Sequence, residues 1–561
     1  MKPYIKYSNI KKAIICLKFI MLGNFAIAQH YEFEWSSIYK GNSTDAFSCA
    51  YGPSGELYNT GAFRDTMVVG NTILSCRDSA SYDMYLVKYD AKGNVLWAIQ
   101  GNTVNPLSGS SGDCVEVDKD GNVFLAMGLY TNVTIDGQYI ENDNQYKATL
   151  LLKLNPEGKL LWHRKSVGLG SSVIGLCLDN DGNPVVMGNN VGANSYGHIT
   201  ITPDYNYHSV YTKYSSNGDV LWATKIDGNC YQIMGIGITA DAQNNIYTTG
   251  NICNNSWFGA EAQLTAVEDG STFMAKISPD GKFKWAKILE STIGGRCLSI
   301  ASFENNIFIT GRFGHNVQKF WGQDIPPSPD GKTNISRGYT AKFNSNADLQ
   351  WVKFTYHGTF GMLKVAPSGI ITLIGGGASP FYAGDSAIYG PGNAIWFQYD
   401  QNGEVVFVGR IQSNLGSLFS FDYHQDRMAI SGIYGKYIIL NGVKHEQENY
   451  NGGNYSGFIF QIKDDKLSLA KIHHLPMELS SSAFPNPARA SITVKYELTK
   501  TSDVFFEMSD LQGRLIKKYQ LKAQFSGENI HQLDLNDLQS GMYLLKIKAG
   551  ENEAVHKIFK N

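Results

Sequence analysis

The sequence predicts an all-β fold, and two observations support this prediction: a β-rich composition and a phrase that recurs along the chain. The 561 residues include 58 Gly, 32 Tyr and 28 Phe, which is typical of aromatic-rich strands joined by many tight turns. The recurring phrase is a strand that ends in Lys, a polar turn with Gly, and a second strand with Trp. The chain is longer than one ordinary domain, so we expect a repeat array with additional modules.

The Lys-to-Trp phrase occurs five times with a constant spacing of nine residues. Its copies are KYDAKGNVLW (88–97), KLNPEGKLLW (153–162), KYSSNGDVLW (213–222), KISPDGKFKW (276–285) and KFNSNADLQW (342–351). Two weaker copies without the terminal Lys and Trp follow, QYDQNGEVVF (398–407) and QIKDDKLSLA (461–470). An orphan Trp near the N-terminus completes seven intervals of 56 to 66 residues. The repeated aromatic positions are Trp35, Trp97, Trp162, Trp222, Trp285 and Trp351.

A second phrase, an alternating strand that closes on Gly, also occurs seven times, at Gly61, Gly128, Gly188, Gly250, Gly311, Gly375 and Gly432. Each interval thus contains about four short strands, and Gly suits the tight hairpins between them. Four antiparallel strands repeated around an axis are typical of a propeller. We predict a seven-bladed β-propeller of four-stranded antiparallel blades over residues 29–475. Trp is expected to fill the space between blades, and the Trp35 strand to pair into the last blade.

These phrases resemble the bacterial seven-bladed propeller repeats of secreted proteins, in which a GNVY-like strand precedes a KYDxxGxxxW-like phrase. The resemblance covers about residues 30–475. It implies a fold and gives almost no information about a ligand. The last two units depart from the pattern, because they lack the Lys and the Trp.

The N-terminus predicts a removed signal peptide over residues 1–28. A basic start is followed by an apolar run at 13–25 and by Ala26-Ile27-Ala28, the small-x-small pattern that signal peptidase recognises. Lys18 interrupts the run, which is shorter than the roughly 20 residues that span a bilayer. No later stretch approaches that length, so we expect no transmembrane segment in the mature chain.

The C-terminal residues 483–561 predict a small β-sandwich after a linker at 476–482. Alternating apolar and polar residues indicate strands at 492–496, 504–508 and 542–547. The motif residues of this module are Pro485, Asn486, Pro487, Asp510, Gly513, Arg514, Ser540, Gly541, Tyr543 and the basic tail that begins at Lys557.

These motif residues resemble the type A C-terminal sorting domain of the type IX secretion system. The resemblance implies passage across the outer membrane, the type IX machinery as a partner, and a final location outside the cell or on its surface. In that family the domain is often removed and replaced by a lipopolysaccharide anchor.

Charge and motifs exclude several functions. The 48 basic and 50 acidic residues leave a net charge of -2, and no Lys/Arg stripe is present, so nucleic acid is not expected as a partner. The sequence has no H-E-x-x-H, G-x-S-x-G or Walker A motif, and we assign no catalytic, cofactor-binding or metal-binding residue. Two D-x-D-G turns, at Asp118 and Asp179, raise the possibility of Ca²⁺, but they do not continue into the ligand pattern of an EF-hand. We interpret them as hairpin turns.

Cysteine spacing gives no metal or redox motif, since the chain has no C-x-x-C pair. Cys49, Cys114, Cys177 and Cys297 each lie in an apolar segment shortly before a turn, and we predict buried thiols there. A disulfide between Cys230 and Cys253 is the alternative that merits a test.

Three Trp residues, Trp257, Trp321 and Trp396, lie outside the repeated position, in the segments predicted between strands. Exposed loop aromatics can stack on a glycan or contact a protein ligand, although packing within the loops also accounts for them. We favour a noncatalytic binding or adhesion protein of the cell surface. A secreted polysaccharide lyase or hydrolase, with carboxylates contributed by different blades, is the alternative, and a purely structural surface protein is the third hypothesis.

Overall fold

The computed structural model describes residues 31–561, apart from 78–80, 104–108, 143–145, 204–206, 229–232, 253, 267–270, 291–295, 314–316, 318, 334, 385, 389–392, 415, 448–449, 453, 465–466, 468–480, 499–500, 511–513, 526 and 550–551. The predicted signal peptide, residues 476–480 of the predicted linker, and both Cys230 and Cys253 therefore lie outside the described residues.

The chain divides into two compact units, the first ending at residue 469 and the second beginning at residue 470. Both consist of β-strands, and the described part of the chain contains no α-helix. The predicted all-β class is therefore confirmed. No helix in the described ranges is long and apolar enough to cross a membrane.

The strands of the first unit are, in chain order, β1 (Tyr31–Ile38), β2 (Lys40–Tyr51), β3 (Leu57–Val69), β4 (Thr72–Ser75), β5 (Tyr82–Tyr89), β6 (Val95–Thr103), β7 (Ser110–Val117), β8 (Val123–Leu129), β9 (Val133–Ile135), β10 (Gln138–Ile140), β11 (Ala148–Leu154), β12 (Leu160–Lys165), β13 (Val167–Gly168), β14 (Ser171–Leu178), β15 (Pro184–Val191), β16 (Asn194–Tyr196), β17 (Ile199–Ile201), β18 (Tyr207–Tyr214), β19 (Val220–Gly228) and β20 (Met234–Ala240). They continue with β21 (Ile246–Ile252), β22 (Asn255–Phe258), β23 (Ala262–Thr265), β24 (Ser271–Ile277), β25 (Phe283–Glu290), β26 (Arg296–Phe303), β27 (Asn306–Phe313), β28 (Lys319–Phe320), β29 (Gln323–Asp324), β30 (Arg337–Asn344), β31 (Leu349–Val365), β32 (Ile371–Ala383), β33 (Ser386–Ile388), β34 (Ala394–Tyr399), β35 (Val405–Ser413), β36 (Ser417–His424), β37 (Arg427–Tyr434), β38 (Tyr437–Leu440), β39 (Val443–Glu446) and β40 (Ser456–Asp464).

Most of these strands form antiparallel meanders of four, which we number along the chain. They are meander 1 (β2, β3, β5, β6), meander 2 (β7, β8, β11, β12), meander 3 (β14, β15, β18, β19), meander 4 (β20, β21, β24, β25), meander 5 (β26, β27, β30 and the start of β31), meander 6 (the end of β31, β32, β34, β35) and meander 7 (β36, β37, β40, β1). Each meander therefore repeats the same strand order.

Meander 7 combines strands from both ends of the unit. Its outer strand is β1, which pairs antiparallel with β40 and places Trp35 opposite Gln461. This is the pairing expected from the orphan Trp35. The first described strand is thus held against strands that follow it by about four hundred residues, and it supplies the partner that β40 otherwise lacks on this side.

Short hairpins cover the outer edge of several meanders. The hairpin of β9 and β10 adds to β6, that of β22 and β23 adds to β19, and that of β38 and β39 adds to β35. Each hairpin comes from the meander that follows in the chain. The added strands pair with N–H and C=O groups that an edge strand leaves open to association with other chains.

The first strand of each meander, here called the inner strand, contains a β-bulge at the same place. The inner strands are β2, β7, β14, β20, β26, the end of β31, and β36. The residue opposite the bulge is Gly in six meanders, because the carbonyl of the inner strand approaches closely: a Cβ on Gly250 would lie 2.0 Å from the Met234 oxygen. In meander 2 the predicted Gly128 is displaced by one residue, and Met127 takes the equivalent place opposite Gly112.

The second unit consists of two antiparallel sheets. One contains β41 (Ser481–Phe484), β42 (Ser491–Leu498) and β45 (Gly527–Asp534), and the other contains β43 (Ser502–Ser509), β44 (Leu515–Gln524), β46 (Gly541–Ala549) and β47 (Asn552–Lys560). Apolar side chains from both sheets form one core, including Ile492, Val494, Phe506, Leu545 and Ile558. Alternation along each strand places these residues inside and the polar residues outside.

Replacing Gly250 with Ala is expected to destabilise the first unit by about 1–3 kcal/mol, because the added Cβ meets a main-chain oxygen that the paired strands hold in place. Chemical denaturation followed by Trp fluorescence measures this loss. The matched control is Gly361→Ala, since a Cβ at that bulge position meets no atom within 4 Å. Equal losses in the two variants would contradict the explanation.

Candidate functional site

In meanders 1, 2 and 5 the repeated Lys and Trp both donate to a single carbonyl of the next meander. Lys153 Nζ and Trp162 Nε1 lie 3.1 and 3.2 Å from the Ser216 oxygen. The same pairing joins Lys88 and Trp97 to the Pro156 oxygen, at 3.0 and 3.2 Å. The acceptor lies in the turn before the Trp strand of the next meander. The constant spacing of nine residues thus positions two donors for one acceptor.

The repeat lysines also neutralise carboxylates within their own meander. Lys213 Nζ lies 2.7 Å from the Asp179 carboxylate, and Lys153 Nζ lies 3.6 Å from that of Asp118. The two aspartates accept main-chain N–H groups of their own turns, as in the bond from Asn183 N to Asp179 Oδ1 of 2.8 Å. Both D-x-D-G carboxylates therefore have partners within the hairpins.

The contact between neighbouring meanders also joins the last meander to the first. In meander 7 the repeat Lys is replaced by Gln461, whose Nε2 lies 3.3 Å from the Ala91 oxygen in the corresponding turn of meander 1. Trp35 stacks on Tyr89 with ring centroids 5.5 Å apart. Gln461 therefore reaches the corresponding turn of meander 1, while Trp35 contributes ring packing and its Nε1 makes no hydrogen bond in the described part of the chain.

The inner strands surround a cavity of about 560 Å³, here called the central cavity. Every inner strand contributes to its wall, consecutive inner strands contact each other, and β36 contacts β2. Serine side chains link some of these strands, since the Oγ of Ser48 accepts from Val115 N at 3.1 Å and the Oγ of Ser420 accepts from Cys49 N at 3.1 Å. The hydrogen bonds hold the wall of the cavity across meander boundaries.

One level of the central cavity is mostly apolar. The bulge positions of the inner strands are occupied by Phe47, Asp113, Ile174, Ile236, Leu298, Gly361 and Phe419. The rings of Phe47 and Phe419 lie 5.8 Å apart. At this level the cavity offers aliphatic and aromatic contacts, with Asp113 as the polar exception.

Three residues beyond the bulge, the inner strands carry most of the charged side chains of the wall, and we call this position the charged level. This position contains Ala50, Glu116, Cys177, Thr239, Ala301, Lys364 and Asp422. Lys364 Nζ lies 2.8 Å from Asp422 Oδ1, while Tyr51 N donates to Asp422 Oδ2 at 2.8 Å. Glu116 lines the same cavity without a hydrogen bond or ion pair among the described residues. At this position the central cavity therefore contains one ion pair and one additional carboxyl group, while Asp113 lies at the apolar level.

The charges at this position shift the pKa of Glu116 and of Lys364. Burial raises the pKa of the Glu116 carboxyl from 4.5 to about 7; the Lys364 ammonium opposes this shift and the Asp422 carboxylate adds to it. Burial lowers the pKa of Lys364, but the charges of Asp422 and Glu116 and the hydrogen bond to Asp422 outweigh it and raise the pKa. Near neutral pH the Lys364 ammonium stays charged, whereas Glu116 is divided between its two protonation states.

The cysteines of the cavity wall are poor nucleophiles. Burial raises the pKa of the Cys49 thiol from 9.0 to about 12, and the Asp422 charge contributes. Burial also raises the pKa of Cys114 and Cys177 above the ordinary range. Cys49, Cys177 and Cys297 are buried free thiols, as predicted, while Cys114 is partly exposed to the cavity.

No group of three or more His, Cys, Asp or Glu side chains in the described ranges is placed to hold a metal ion.

The three Trp residues predicted in segments between strands lie at separate places of the first unit. Trp396 was expected between strands, but it lies in β34 and is 2% exposed, packed edge-on against Tyr31 at 5.4 Å. Trp257 lies in β22 rather than in a loop. Trp321 follows β28 and is half-buried against Phe343, with centroids 5.4 Å apart. The prediction for Trp396 is wrong because the residue stands two positions before Gln398 within β34, the strand that contains the start of the weak repeat phrase.

The sorting-motif residues of the second unit gather at one end of its larger sheet. Asn486 accepts from Phe559 N at 2.8 Å and donates to the Lys557 oxygen at 2.6 Å, which ties the Pro-Asn-Pro segment to the basic tail. Gly541 and Tyr543 pair with the same tail strand. Asp510 closes a nearby turn through Arg514 N at 2.9 Å and Arg514 Nε at 3.1 Å. Gly513 lies outside the described residues.

The charged level of the central cavity was missed because no familiar motif contains it. Glu116, Lys364 and Asp422 are far apart in sequence, and each stands two residues before the turn that ends its inner strand. Aligning the seven inner strands on those turns would have shown three charged residues at one position. The alignment would therefore have shown that the three charged residues share one position. It would not have shown that their side chains meet across the cavity, because the fold decides that.

Residues 482–561 match the family described as the secretion system C-terminal sorting domain. This domain directs the chain to secretion and the cell surface through the type IX system, so the predicted localisation is confirmed. The chain is therefore an exported all-β repeat protein with a C-terminal sorting domain. The match covers the second unit alone.

Other similarities are weak. An uncharacterised WD repeat-containing protein, L264, of Acanthamoeba polyphaga mimivirus is 25% identical over 175 residues, which cover 27% of this chain and 12% of that protein. A protein of unknown function from Bacteroides caccae is 10% identical, with 66% of this chain and 93% of that chain covered and a TM-score of 0.30. A mutant of the Synechocystis apocarotenoid oxygenase is 10% identical, with 77% and 94% covered and a TM-score of 0.35. These values assign no function.

The raised pKa of Glu116 predicts how the stability of the folded protein changes with pH. Between pH 4.5 and about 7 the folded protein keeps a proton on Glu116 that the unfolded chain releases, so this residue's contribution to stability falls as the pH rises through that range. Glu116→Gln removes the effect, and the variant is expected to gain stability relative to the wild type as the pH increases. Denaturation curves at several pH values measure the difference. Glu157→Gln, on an exposed turn, is the control, and a difference independent of pH would refute the prediction.

Proposed function

We propose that this chain is a noncatalytic binding protein of the cell surface and that the central cavity is its ligand site. The observation that supports the proposal is the uncompensated Glu116 beside the Lys364–Asp422 ion pair, in a cavity bounded by every inner strand. Groups of this kind, placed in a mostly neutral concave wall, typically orient a ligand.

The proposed architecture is a closed ring of seven four-stranded blades over residues 29–475, followed by the sorting domain. The support comes from the repeated strand order of the seven meanders and from the bond between Gln461 and Ala91, which joins the last meander to the first. We further propose that residues 1–28 are a signal peptide, because a type IX sorting domain implies passage through the inner membrane first.

The cavity indicates the chemistry of the ligand. A volume of about 560 Å³ is within the range of small-molecule sites and accommodates a few sugar units or the end of a polymer. With Glu116 ionised, the charges of Glu116, Asp422 and Lys364 sum to one negative charge. A ligand with hydroxyl groups forms hydrogen bonds with these charged side chains, and a ligand with one ammonium group balances their negative charge. The apolar level contacts the nonpolar face of either ligand.

A catalytic role is the second candidate, and one observation favours it. Glycoside hydrolysis uses a carboxylic acid with a raised pKa together with an ionised carboxylate, and Glu116 and Asp422 face the same cavity. Asp422 is already held by Lys364 and by Tyr51 N, which leaves it less available to a reacting sugar. We therefore favour binding over cleavage.

Binding by the purified first unit to arrayed oligosaccharides, including amino sugars, tests the proposal. Glu116→Gln is expected to lower the affinity at least tenfold, because a charged hydrogen bond to the ligand is lost. Glu157→Gln is the matched control and should bind as the wild type does. Retained affinity in Glu116→Gln would place the ligand elsewhere, and the absence of any ligand would contradict the proposed function.

A depolymerisation assay on the same oligosaccharides separates the two candidates. A binding protein leaves them intact, whereas a hydrolase or lyase shortens them and loses this activity in Glu116→Gln. Cleavage by the wild type would therefore replace the binding proposal with the catalytic one.

A further inference from the structure

The charged side chains of the central cavity do not balance. Among the residues that line it, Asp113, Glu116 and Asp422 each bear a carboxyl group, whereas Lys364 bears an ammonium group. When all four groups are ionised, the wall carries more negative than positive charge. A concave surface of one sign concentrates ions of the opposite sign. The cavity therefore favours cations over anions.

Two of the three carboxyl groups already have partners within the first unit. Asp422 accepts from the Lys364 ammonium at 2.8 Å and from a main-chain N–H at the same distance. Asp113 accepts from Ser111 Oγ at 2.7 Å and from a main-chain N–H at 3.0 Å. Glu116 has neither a hydrogen bond nor an ion pair among the described residues, so its carboxyl group is the one that a ligand can still bind.

The surroundings of Glu116 leave its carboxyl group open to the cavity. The residue is half-buried, and at the same level the neighbouring inner strands β2 and β14 carry Ala50 and Cys177. Ala50 has no polar side-chain group. Burial, followed by the charge of Glu116, raises the pKa of the Cys177 thiol, which therefore stays neutral. Neither neighbour supplies a counter-charge.

An ammonium group fits this carboxyl group better than a hydroxyl group does. An ionised carboxylate without a counter-charge is costly to keep away from bulk water. A ligand hydroxyl would donate a hydrogen bond to Glu116 but would leave its charge uncompensated. An ammonium group provides both, and hydrogen bonds with ionised partners are the stronger ones. Lys364 already neutralises Asp422, so Glu116 lacks a cation of its own.

The apolar level provides contacts for the rest of such a ligand. The residue of β7 at that level stands three positions before Glu116, which corresponds to about 10 Å at the usual rise of a strand. The rings of Phe47 and Phe419 lie at the apolar level, 5.8 Å apart. A hydrocarbon chain attached to the ammonium group extends from Glu116 toward these rings, where its burial is favourable.

We propose that the ligand of the central cavity is a primary amine with a nonpolar portion, and that its ammonium group donates to Glu116 while the nonpolar portion packs against Phe47 and Phe419. The proposal rests on the binding function proposed above and restricts the ligand to one chemical class. Because the cation favours the ionised form of Glu116, the ligand and a proton compete for this carboxyl group.

This competition predicts that the affinity for an amine rises with pH. Burial raises the pKa of Glu116 to about 7, with the Lys364 charge opposing the shift and the Asp422 charge adding to it. Glu116 is therefore about ten times more often ionised at pH 8 than at pH 6. The affinity is expected to rise about tenfold between these two values.

The other titratable groups of the cavity wall do not produce this pH dependence. Burial raises the pKa of the three thiols and of the tyrosine, so these groups stay neutral over the range, and the raised pKa of Lys364 keeps its ammonium charged. Both remaining carboxyl groups hold the hydrogen bonds given above. The complete set is Cys49, Asp113, Cys114, Cys177, Lys364, Asp422 and Tyr423.

Calorimetric titration of the purified protein with hexylamine and with hexanol tests the proposal, since the two probes differ in the terminal group alone. At pH 8 hexylamine is expected to bind at least tenfold more tightly than hexanol, and its affinity should fall about tenfold at pH 6. The amine itself stays protonated over this range, so the change reports on the protein. At pH 7, titrations in buffers of different ionisation enthalpy should show that binding releases a fraction of a proton.

Glu116→Gln removes the charge with little change in size, and thermal unfolding checks that the variant is folded. The preference for hexylamine, its pH dependence and the proton release should all be lost. Glu157→Gln, on an exposed turn, should behave as the wild type does.

The possible failures are distinguishable. Equal affinities of the wild type for hexylamine and hexanol would overturn the proposal. A pH dependence retained in Glu116→Gln would also overturn it and would point to Asp113, whose pKa burial also raises. If a neutral oligosaccharide bound through Glu116 and hexylamine did not bind, the choice of an amine would be wrong while the proposed function stood. Absence of binding by both probes and by every arrayed oligosaccharide would contradict both.

Discussion

The structure of the first unit depends on the contact between the repeat phrase of one meander and a turn of the next. A carbonyl oxygen has two lone pairs, and in three of these contacts it accepts both the ammonium of a repeat Lys and the indole N–H of a repeat Trp, as the Ser216 oxygen does for Lys153 and Trp162. Such a contact joins only neighbours, so stability accumulates from one meander to the next. The last meander needs the same partner, and the first meander supplies it through Ala91, which Gln461 reaches in place of Lys.

This contact explains why so much of the fold was predictable from sequence. Where two donors reach one oxygen, as in meanders 1, 2 and 5, that contact restricts both residue type and spacing. The Gly phrase has an equally direct cause, since at Gly250 and its equivalents a Cβ would collide with a main-chain oxygen of the inner strand. Where that restriction is relaxed, the pattern changes: Met127 occupies the equivalent place in meander 2, and the apparent match at Gly128 is one residue out of register.

The candidate site was less predictable for a related reason. The position that holds Glu116, Lys364 and Asp422 holds Ala50 and Ala301 in other meanders, so the fold accepts many side chains there and no repeated phrase marks it. For Trp396, by contrast, the spacing along the chain led to a definite expectation that was wrong. Its distance from the repeated Trp suggested a loop, yet it lies within β34, and a Cβ on Gly409 would lie only 2.0 Å from its ring. Tertiary packing decided its environment, which spacing alone does not reveal.

The same tolerance makes the charged level informative. The wall of the central cavity is already linked by main-chain pairing and by serine bridges such as Ser48 to Val115, so it needs no ion pair to hold its shape. Removing charges from water is costly, and replacing a buried pair with apolar residues often leaves a protein equally stable. Ala50 and Ala301 show that a small apolar side chain fits this position. The presence of Lys364 and Asp422, with Glu116 left without a hydrogen bond or ion pair of its own in the described part of the chain, therefore agrees with the ligand site proposed above.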